Sequence, residues 1–333
     1  MLSRIRRLWK GMVIRMNIVI LERNSVGTDI DISCYEKLGH VTAYGNSLKE
    51  DVAGRIRDAD ILVANKVPLN EETLKDAPKV KLICELATGY DNIDLNYCKR
   101  RGIRVVNSRD YCTPAVVQHT FALALFVLEH LHYYDEYVKH GDYAKQDRFS
   151  HFDLPYAEIR GKTWGIVGMG NIGRGVARVA EAFGCRVIYY STTGKNVVEG
   201  YEVVDKDTLL RESDLLSLHC PLNENTKYFI DAQALHKMKK SAVLINVARG
   251  AVVNNEDLYT ALMEEEIAGA GLDVLEQEPI TSENPLSRLM DSNRLIITPH
   301  MAWASNEARQ RVVEEVYKNI EAFLQGEERN VVI

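Results

Sequence analysis

The chain has 333 residues, of which 46% are hydrophobic and 26% are charged; this is an ordinary globular composition, and the length suits two domains. A net charge of -6 leaves no broad basic surface to displace counterions, which excludes a general nucleic-acid binder and favours small-molecule chemistry. The six cysteines contain no CxxC pair and no apolar run is long enough to span a bilayer, so we expect a cytoplasmic protein with mostly buried reduced thiols, no metal site and no membrane partner.

Residues 1–15 differ from the rest of the chain because they carry five basic residues beside little apolar area. They lack the apolar core of a signal peptide. We interpret them as an N-terminal extension, with a weak membrane-surface helix as the alternative, and we expect the fold to begin at Met16.

Short apolar strands then alternate with helical patterns, which predicts a parallel α/β sheet. The predicted strands of this first series cover residues 18–21, 61–64, 81–84 and 104–106. One long, largely apolar helix is predicted from residue 115 to about residue 138, and a polar and aromatic crossing follows at residues 140–155.

A second alternating series begins at residue 161 and predicts a second parallel sheet. Its strands are expected at residues 164–167, 186–190, 215–219, 242–246, 269–273 and 295–298. An amphipathic helix at residues 305–325 ends the chain and could return to the first domain. We therefore expect a discontinuous first domain (residues 16–112 and 302–333), an inserted second domain (residues 113–301) and a ligand cleft between the two sheets.

A strand, a glycine-rich turn and a helix follow one another at residues 161–183. Gly168 permits the tight turn, Gly170 lets the backbone approach phosphates, and Gly173 lets helix and strand pack closely. Because a helix N-terminus presents N–H groups and a positive dipole end, the spacing predicts a site for a dinucleotide pyrophosphate. A purely structural glycine turn is the alternative.

Four polar residues lie just past strands of the second series, where open α/β sheets place their ligands: Arg249, Asp273, Glu278 and His300. An arginine can hold a carboxylate with two hydrogen bonds, a histidine can exchange a proton near neutral pH, and a carboxylate can hold the imidazolium. Taken singly, each could be a surface or turn residue. Together, beside a dinucleotide turn, they supply what a keto acid needs to accept a hydride.

These motifs resemble, in their order along the chain, those of the D-isomer-specific 2-hydroxyacid dehydrogenases. The resemblance rests on residues 86–94 (LATGYDNID), 168–173, 219–222 (HCPL), 246–250 (NVARG), 273–279 (DVLEQEP) and 298–300 (TPH). It implies two Rossmann-like domains, one flavodoxin-like and one NAD(P)-binding, with the coenzyme domain inserted into the substrate domain. It also implies a homodimer paired through the coenzyme domains.

The resemblance further implies roles for the matching residues. Arg249 would bind the substrate carboxylate and carbonyl, His300 would protonate the carbonyl oxygen during reduction, and Glu278 would hydrogen-bond His300. The loop with Ala87, Thr88 and Gly89 would also hold the substrate through its backbone N–H groups. Trp303 would form a wall of the pocket. The implied cofactor-binding residues are Gly168, Gly170, Asn171, Ile172, Gly173, Ser191, Thr193, Lys195, Cys220, Pro221, Thr226, Val247, Ala248, Arg249 and Asp273.

Ser191 departs from the family's commonest pattern, since NAD-specific members usually carry an aspartate there. The hydroxyls of Ser191, Thr192 and Thr193 together with Lys195 could bind a 2′-phosphate, so the cofactor is expected to be NAD or NADP, with a lean to NADP. A polar turn that still accepts NAD is the alternative.

The substrate loop and the segment around Trp303 look most like the glycerate dehydrogenase and hydroxypyruvate reductase branch. Hydroxypyruvate or glyoxylate is therefore the first expectation, ahead of a lactate or 2-ketoisocaproate type of enzyme. A phosphoglycerate dehydrogenase is a lower expectation, because we expect no regulatory domain of that type and the substrate loop is not that of the phosphorylated branch. A dinucleotide-sensing co-repressor is the alternative from another functional class, and a formate or phosphite dehydrogenase ranks below it.

Overall fold

The computed structural model describes residues 16–194, 197–289 and 293–333, so the predicted extension at residues 1–15 and Lys195 lie outside the described residues. The described chain forms two compact units. The first unit combines the chain up to Cys112 with Ala304–Ile333, and the second is Thr113–Trp303.

The first unit contains a five-stranded parallel sheet. Its strands are β1 (Met16–Ile20), β2 (Gly39–Ala43), β3 (Ile61–Ala64), β4 (Leu82–Glu85) and β5 (Arg104–Val106). Their order is β2-β1-β3-β4-β5, the flavodoxin-like order, with the switch point between β1 and β3. The strand β2 was not predicted, because it lies at the edge of the sheet and has no apolar run; four of its five residues are partly or fully exposed.

Three helices and the C-terminal helix accompany this sheet: α1 (Lys49–Arg55), α2 (Glu71–Leu74), α3 (Leu95–Arg101) and Asn306–Gln325. Asp94 caps α3, because its carboxylate accepts a 2.9 Å hydrogen bond from the Tyr97 backbone N–H. Ser305 caps the C-terminal helix, which packs against β4 and therefore does return to the first unit.

The second unit contains a seven-stranded parallel sheet. Its strands are β6 (Thr163–Val167), β7 (Arg186–Tyr190), β8 (Glu202–Val203), β9 (Leu215–Leu218), β10 (Val243–Asn246), β11 (Gly269–Leu272) and β12 (Leu295–Ile297). The order β12-β11-β10-β9-β6-β7-β8 reverses between β6 and β9, as in dinucleotide-binding Rossmann folds. The predicted fold class, two Rossmann-like units with parallel sheets, is confirmed.

The helices of the second unit are α4 (Thr113–Leu128), α5 (Leu131–Lys139), α6 (Asn171–Ala182), α7 (Lys206–Glu212), α8 (Ala232–Lys237) and α9 (Asn255–Met263). Helix α4 packs on α6 and on strands β10 and β11. Helices α4 and α6 approach closely at Gly175, where a β-carbon would lie 2.6 Å from the Val117 side chain. Phe121 of α4 also contacts the buried Trp164 of β6, with ring centroids 4.5 Å apart.

The single long helix predicted at residues 115–138 is wrong, because the chain turns between α4 and α5. His130 adopts a left-handed conformation with a φ of 52°, which ends α4, and the two helices are bent by 63°. Among the described residues no single helix is long and apolar enough to cross a membrane, and only this bent pair reaches such a length and composition when taken together.

All six cysteines are unpaired, and five of them are buried while Cys34 is partly exposed. The prediction of mostly buried thiols is therefore confirmed.

Candidate active site

The glycine turn lies at the switch point of the second sheet, between β6 and α6. Gly168 has a φ of +93°, and its N–H donates to the Tyr190 carbonyl at 3.1 Å. A β-carbon at Gly173 would lie 2.3 Å from the Gly168 oxygen, so α6 packs directly on the turn. The structural roles predicted for Gly168 and Gly173 are confirmed.

Gly170 is the N-cap of α6, and a β-carbon there would meet nothing within 4 Å. Open space at this position lets a bulky group approach the backbone. The first turn of α6, which contains Asn171 and Ile172, presents the positive end of its dipole to that space. This cradle fits a dinucleotide pyrophosphate.

The end of β7 adjoins the turn through the hydrogen bond from Gly168 to Tyr190, and Ser191 follows directly. Ser191 is partly exposed and begins a turn that the Gly194 N–H closes by donating to the Ser191 carbonyl at 3.2 Å. Thr193 is exposed in this turn. The predicted hydroxyl cluster is therefore accessible at the C-terminal end of β7.

The loop after β9 faces the glycine turn across the switch point. A β-carbon at Gly168 would lie 3.0 Å from both the His219 carbonyl and the Cys220 nitrogen. Burial lowers the pKa of His219 to about 3, so its imidazole stays neutral. The Thr226 hydroxyl accepts from the Asn223 N–H and donates to the Pro221 carbonyl, so it shapes this loop.

Arg249 lies on the loop after β10 and is partly buried. The buried Asn246 side chain holds this loop, because its carbonyl accepts from the Ala248 N–H and its amide donates to the Arg249 carbonyl, both at 3.0 Å. Val247, which lies between Asn246 and Ala248, is partly exposed. Because β10, β11 and β12 are parallel neighbours, Arg249, Glu278 and His300 follow strand ends at one edge of the sheet.

His300 and Glu278 are in direct contact. The imidazole Nδ1 donates to the Glu278 Oε2 at 2.6 Å, and the two side chains are 25% and 33% exposed. This bond fixes the tautomer, since a carboxylate can only accept, and leaves Nε2 as the ring nitrogen that can pass a proton to a ligand. The predicted hydrogen bond between these residues is present.

Asp273 is buried and tied to the loop that carries His300. Its Oδ1 accepts from the Thr298 hydroxyl at 2.6 Å and from the Met301 N–H at 2.8 Å, and its Oδ2 accepts from the Ala302 N–H at 2.8 Å. The His300 N–H donates to the Asp273 carbonyl at 2.8 Å. Asp273 therefore sets the path of the backbone on both sides of His300.

The loop with Ala87, Thr88 and Gly89 follows β4 in the first unit. The Ser108 N–H donates to the Ala87 carbonyl at 3.0 Å, and the Asn107 side chain donates to the Thr88 carbonyl at 2.7 Å. Because N–H and C=O point in opposite directions in a trans peptide, the N–H groups of Thr88 and Gly89 point away from this anchoring segment. Trp303, in the second unit, is partly buried.

The sequence reasoning missed His119, which lies on α4 and supports the same loop. Its Nε2 is 2.9 Å from the Thr298 hydroxyl, and it must donate because that hydroxyl gives its proton to Asp273. Nothing in the spacing of residues 113–128 distinguishes this histidine from a helix-surface residue.

Comparison with known proteins places these features in a family. Residues 121–302 match the model of the D-isomer specific 2-hydroxyacid dehydrogenase, NAD binding domain. The chain belongs to the D-isomer-specific 2-hydroxyacid dehydrogenases. It is therefore an oxidoreductase of the class that acts on CH–OH groups with a nicotinamide dinucleotide.

Other 2-hydroxyacid dehydrogenases are similar over most of their length. The glycerate dehydrogenase of Methylorubrum extorquens is 41% identical over 283 residues, which cover 85% of this chain and 88% of that protein. The hydroxypyruvate reductase of Blautia hydrogenotrophica is 35% identical over 95% of this chain and 99% of its own.

A solved structure extends this likeness to three dimensions. The NADPH-dependent glyoxylate/hydroxypyruvate reductase of Sinorhizobium meliloti, in complex with NADP and malonate, has a TM-score of 0.82 and 27% identity. The match covers 96% of this chain and 97% of that one.

Proposed function

We propose that this protein reduces hydroxypyruvate or glyoxylate to the corresponding D-2-hydroxy acid or glycolate, with NADPH or NADH as reductant. The observation that carries the proposal is the hydrogen bond between His300 and Glu278, on a loop after β12 in a 2-hydroxyacid dehydrogenase. The names of its relatives, glycerate dehydrogenase and hydroxypyruvate reductase, support this choice of substrate.

The proposed chemistry divides between the cofactor and the protein. A bound reduced nicotinamide supplies the hydride that adds to the carbonyl carbon of the keto acid. His300 passes a proton from Nε2 to the carbonyl oxygen, and Glu278 stabilises the imidazolium before the transfer through Nδ1. The products are the hydroxy acid, the oxidised dinucleotide and a neutral His300 imidazole, which takes up a proton from solvent before the next turnover.

Arg249 is proposed to bind the substrate carboxylate, because a guanidinium can form two parallel hydrogen bonds to it. The N–H groups of Thr88 and Gly89 are proposed as hydrogen-bond donors to a substrate. Their orientation, opposite to the anchored carbonyls of Ala87 and Thr88, supports this role. Trp303 is proposed as an apolar wall beside the substrate.

NADP is proposed as the preferred dinucleotide. Ser191 stands at the end of β7, where an aspartate would repel a 2′-phosphate, and the accessible hydroxyl of Thr193 follows in the same turn. The NADP complex of the Sinorhizobium meliloti relative supports this preference. Substituting Ser191→Asp should shift the ratio of kcat/KM values toward NADH by about tenfold or more.

The reaction is tested by mixing the purified protein with NADH or NADPH and a panel of hydroxypyruvate, glyoxylate, pyruvate and 2-ketoisocaproate, while following absorbance of the reduced cofactor. We expect the highest kcat/KM with hydroxypyruvate or glyoxylate. Higher activity with 2-ketoisocaproate would contradict the substrate assignment, and dinucleotide binding without turnover of any keto acid would favour the sensor alternative.

A His300→Ala variant should lose about 100-fold or more in kcat while its dinucleotide affinity stays unchanged. His236 on α8 provides a matched control, because its side chain is 81% exposed and lies outside the proposed site. The His236→Ala variant should retain full activity. A fully active His300→Ala variant would disprove the proton-donor role.

We also propose that the protein forms a homodimer in the cytoplasm, the location with which its unpaired thiols are compatible. None of the nine residues of α5 is buried within the chain, and the following segment exposes Phe149 by 91%, Phe152 by 66% and Tyr156 by 58%. Yet this segment has a defined shape, since the His151 side chain, which is only 9% exposed, forms a hydrogen bond of 2.7 Å with the Tyr133 hydroxyl. An ordered surface with exposed aromatic side chains is typical of a protein interface.

Sedimentation equilibrium tests whether two copies of this chain form a dimer. Wild-type protein should sediment as a dimer, and the double variant Phe149→Ser with Phe152→Ser should dissociate toward the 37.7 kDa monomer. Met263→Ser is the control, because Met263 is also exposed but lies on α9. A monomeric wild type would contradict the proposal.

A further inference from the structure

Three loops leave the carboxyl edge of the second sheet after the neighbouring strands β9, β10 and β11. The first contains Thr226 and Tyr228, the second Arg249, and the third Glu278. The proposed chemistry requires Arg249 and Glu278 to keep fixed relative positions, which depend on the contacts among these loops.

Glu276 lies on the third loop and bonds to both of the others. Its Oε1 accepts from the Asn255 backbone N–H at 2.7 Å, where the second loop enters α9. Its Oε2 accepts from the Tyr228 hydroxyl at 2.8 Å. A carboxylate at a helix N-terminus is further stabilised by the helix dipole.

Tyr228 closes the remaining side of this arrangement. Its backbone N–H donates to the Ala251 carbonyl at 2.8 Å, two residues beyond Arg249. Tyr228 has a φ of 50°, a left-handed conformation that is uncommon for a residue with a bulky side chain. The first loop is therefore bonded to the second through its backbone and to the third through its side chain.

Gly250 brings the second and third loops into direct backbone contact. A β-carbon at this position would lie 1.9 Å from the Leu275 carbonyl carbon and 2.4 Å from the Glu276 nitrogen. The peptide between Leu275 and Glu276 thus packs against the α-carbon next to Arg249. A displacement of either loop is transmitted to the other, because no side chain lies between them.

Leu275 extends the connection to the acid–base pair. Its N–H donates to Glu278 Oε1 at 3.1 Å, while Glu278 Oε2 accepts from His300. The same Leu275 residue therefore contacts Gly250 and orients the Glu278 carboxylate.

We propose that Glu276 is a positioning residue that keeps Arg249 and the Glu278–His300 pair in register by joining the three loops. The inference rests on the proposed function for its catalytic consequence. Glu276 itself takes no part in the transfer of hydride or proton.

The kinetic test compares Glu276→Ala, Glu276→Gln and the control Gln277→Ala, an exposed neighbour on the same loop. Glu276→Ala should lower kcat/KM for hydroxypyruvate by about 10- to 100-fold, as expected when supporting groups around a site are lost. It should raise KM through displacement of Arg249 and lower kcat through displacement of Glu278. Glu276→Gln keeps an oxygen for the Asn255 N–H and should recover most of the activity, and Gln277→Ala should match wild type.

The division of the effect between kcat and KM separates positioning from general loss of structure. A smaller fraction of folded enzyme lowers kcat alone, whereas a displaced Arg249 also raises KM. Unchanged kinetics in Glu276→Ala would overturn the proposal. A lower kcat with an unchanged KM, or no recovery in Glu276→Gln, would do so as well.

Hydrogen exchange, measured by mass spectrometry without substrate, makes the proposal independent of the assigned reaction. Glu276→Ala should speed amide exchange in both residues 247–255 and residues 274–280, whereas Gln277→Ala should not. If wild type turns over none of the keto acids but this coupled change occurs, the proposed function fails and the joining of the loops stands. If exchange rises only in residues 274–280, Glu276 does not join the loops.

Discussion

Replacing Glu85 by glutamine should stabilise the protein by an amount that grows as the pH rises. Glu85 ends β4 and is fully buried. Its Oε2 accepts from the Asn92 side-chain amide at 3.4 Å, while its Oε1 has no hydrogen-bond partner among the described residues. Burial raises the pKa of Glu85 well above its ordinary value of 4.5, and the charge of Glu22 adds to this effect.

The sign and the size follow from proton linkage. Above about pH 4.5 the unfolded chain releases the proton of Glu85 while the folded protein keeps it, so the free energy of unfolding falls as the pH rises toward the folded pKa. The slope is at most about 1.4 kcal/mol per pH unit, or up to about 2.7 kcal/mol between pH 5 and pH 7. Glutamine has the same shape but does not titrate, so the variant lacks this loss.

The assay is urea unfolding of wild type and Glu85→Gln, followed by far-UV circular dichroism between about pH 5 and pH 8. The difference in free energy of unfolding should favour the variant and increase with pH until the folded pKa is reached. Glu50→Gln, at an exposed position of α1, should change the free energy by less than about 0.5 kcal/mol at either end of the range. A pH-independent difference between Glu85→Gln and wild type would refute the reasoning.

Substitutions at three further positions test other parts of the structure. Gly173→Ala places a β-carbon 2.3 Å from a backbone oxygen, so it should lower the free energy of unfolding by about 1–3 kcal/mol. It should also weaken NADPH binding in a fluorescence titration, and wild-type stability together with wild-type binding would be inconsistent with the close packing. Thr298→Val removes the hydroxyl that donates to the buried Asp273 and should cost about 1.5–3 kcal/mol in urea unfolding, whereas Thr298→Ser should restore most of it. Because the pKa of His219 is lowered from 6.5 to about 3, the unfolded chain gains a proton below pH 6.5 that the folded protein does not. His219→Asn should therefore lose less stability than wild type on acidification from pH 6.5 to about pH 5, by up to about 1.4 kcal/mol per pH unit, and equal losses would contradict the assignment.

Backbone features with a local sequence signal could be predicted. The strands at residues 61–64, 104–106 and 186–190 match β3, β5 and β7 residue for residue, because apolar β-branched runs are buried in parallel sheets. The glycine turn is equally predictable, since the φ of +93° at Gly168 and the 2.3 Å approach at Gly173 both exclude a β-carbon.

The support of the site was not predictable from local patterns. The resemblance implies that Asp273 binds the cofactor, but its partners, Thr298 and two backbone N–H groups, follow from the pairing of β11 with β12 and not from any local pattern. Glu276 gave no signal either, because its partners are 21 and 48 residues away along the chain. Such bonds depend on loop geometry, which hydrophobic periodicity does not encode.

The turn at His130 separates two stretches of chain that face different selective demands. Helix α4 before it packs on α6 and on strands that lead to the candidate site, so substitutions on its buried face disturb the core. Helix α5 after it buries none of its residues fully, and its tyrosines contact the following segment rather than the core. Substitutions at the exposed residues of this stretch therefore leave the core of the second unit intact, and the surface that we propose for self-association can change while the chemistry stays the same.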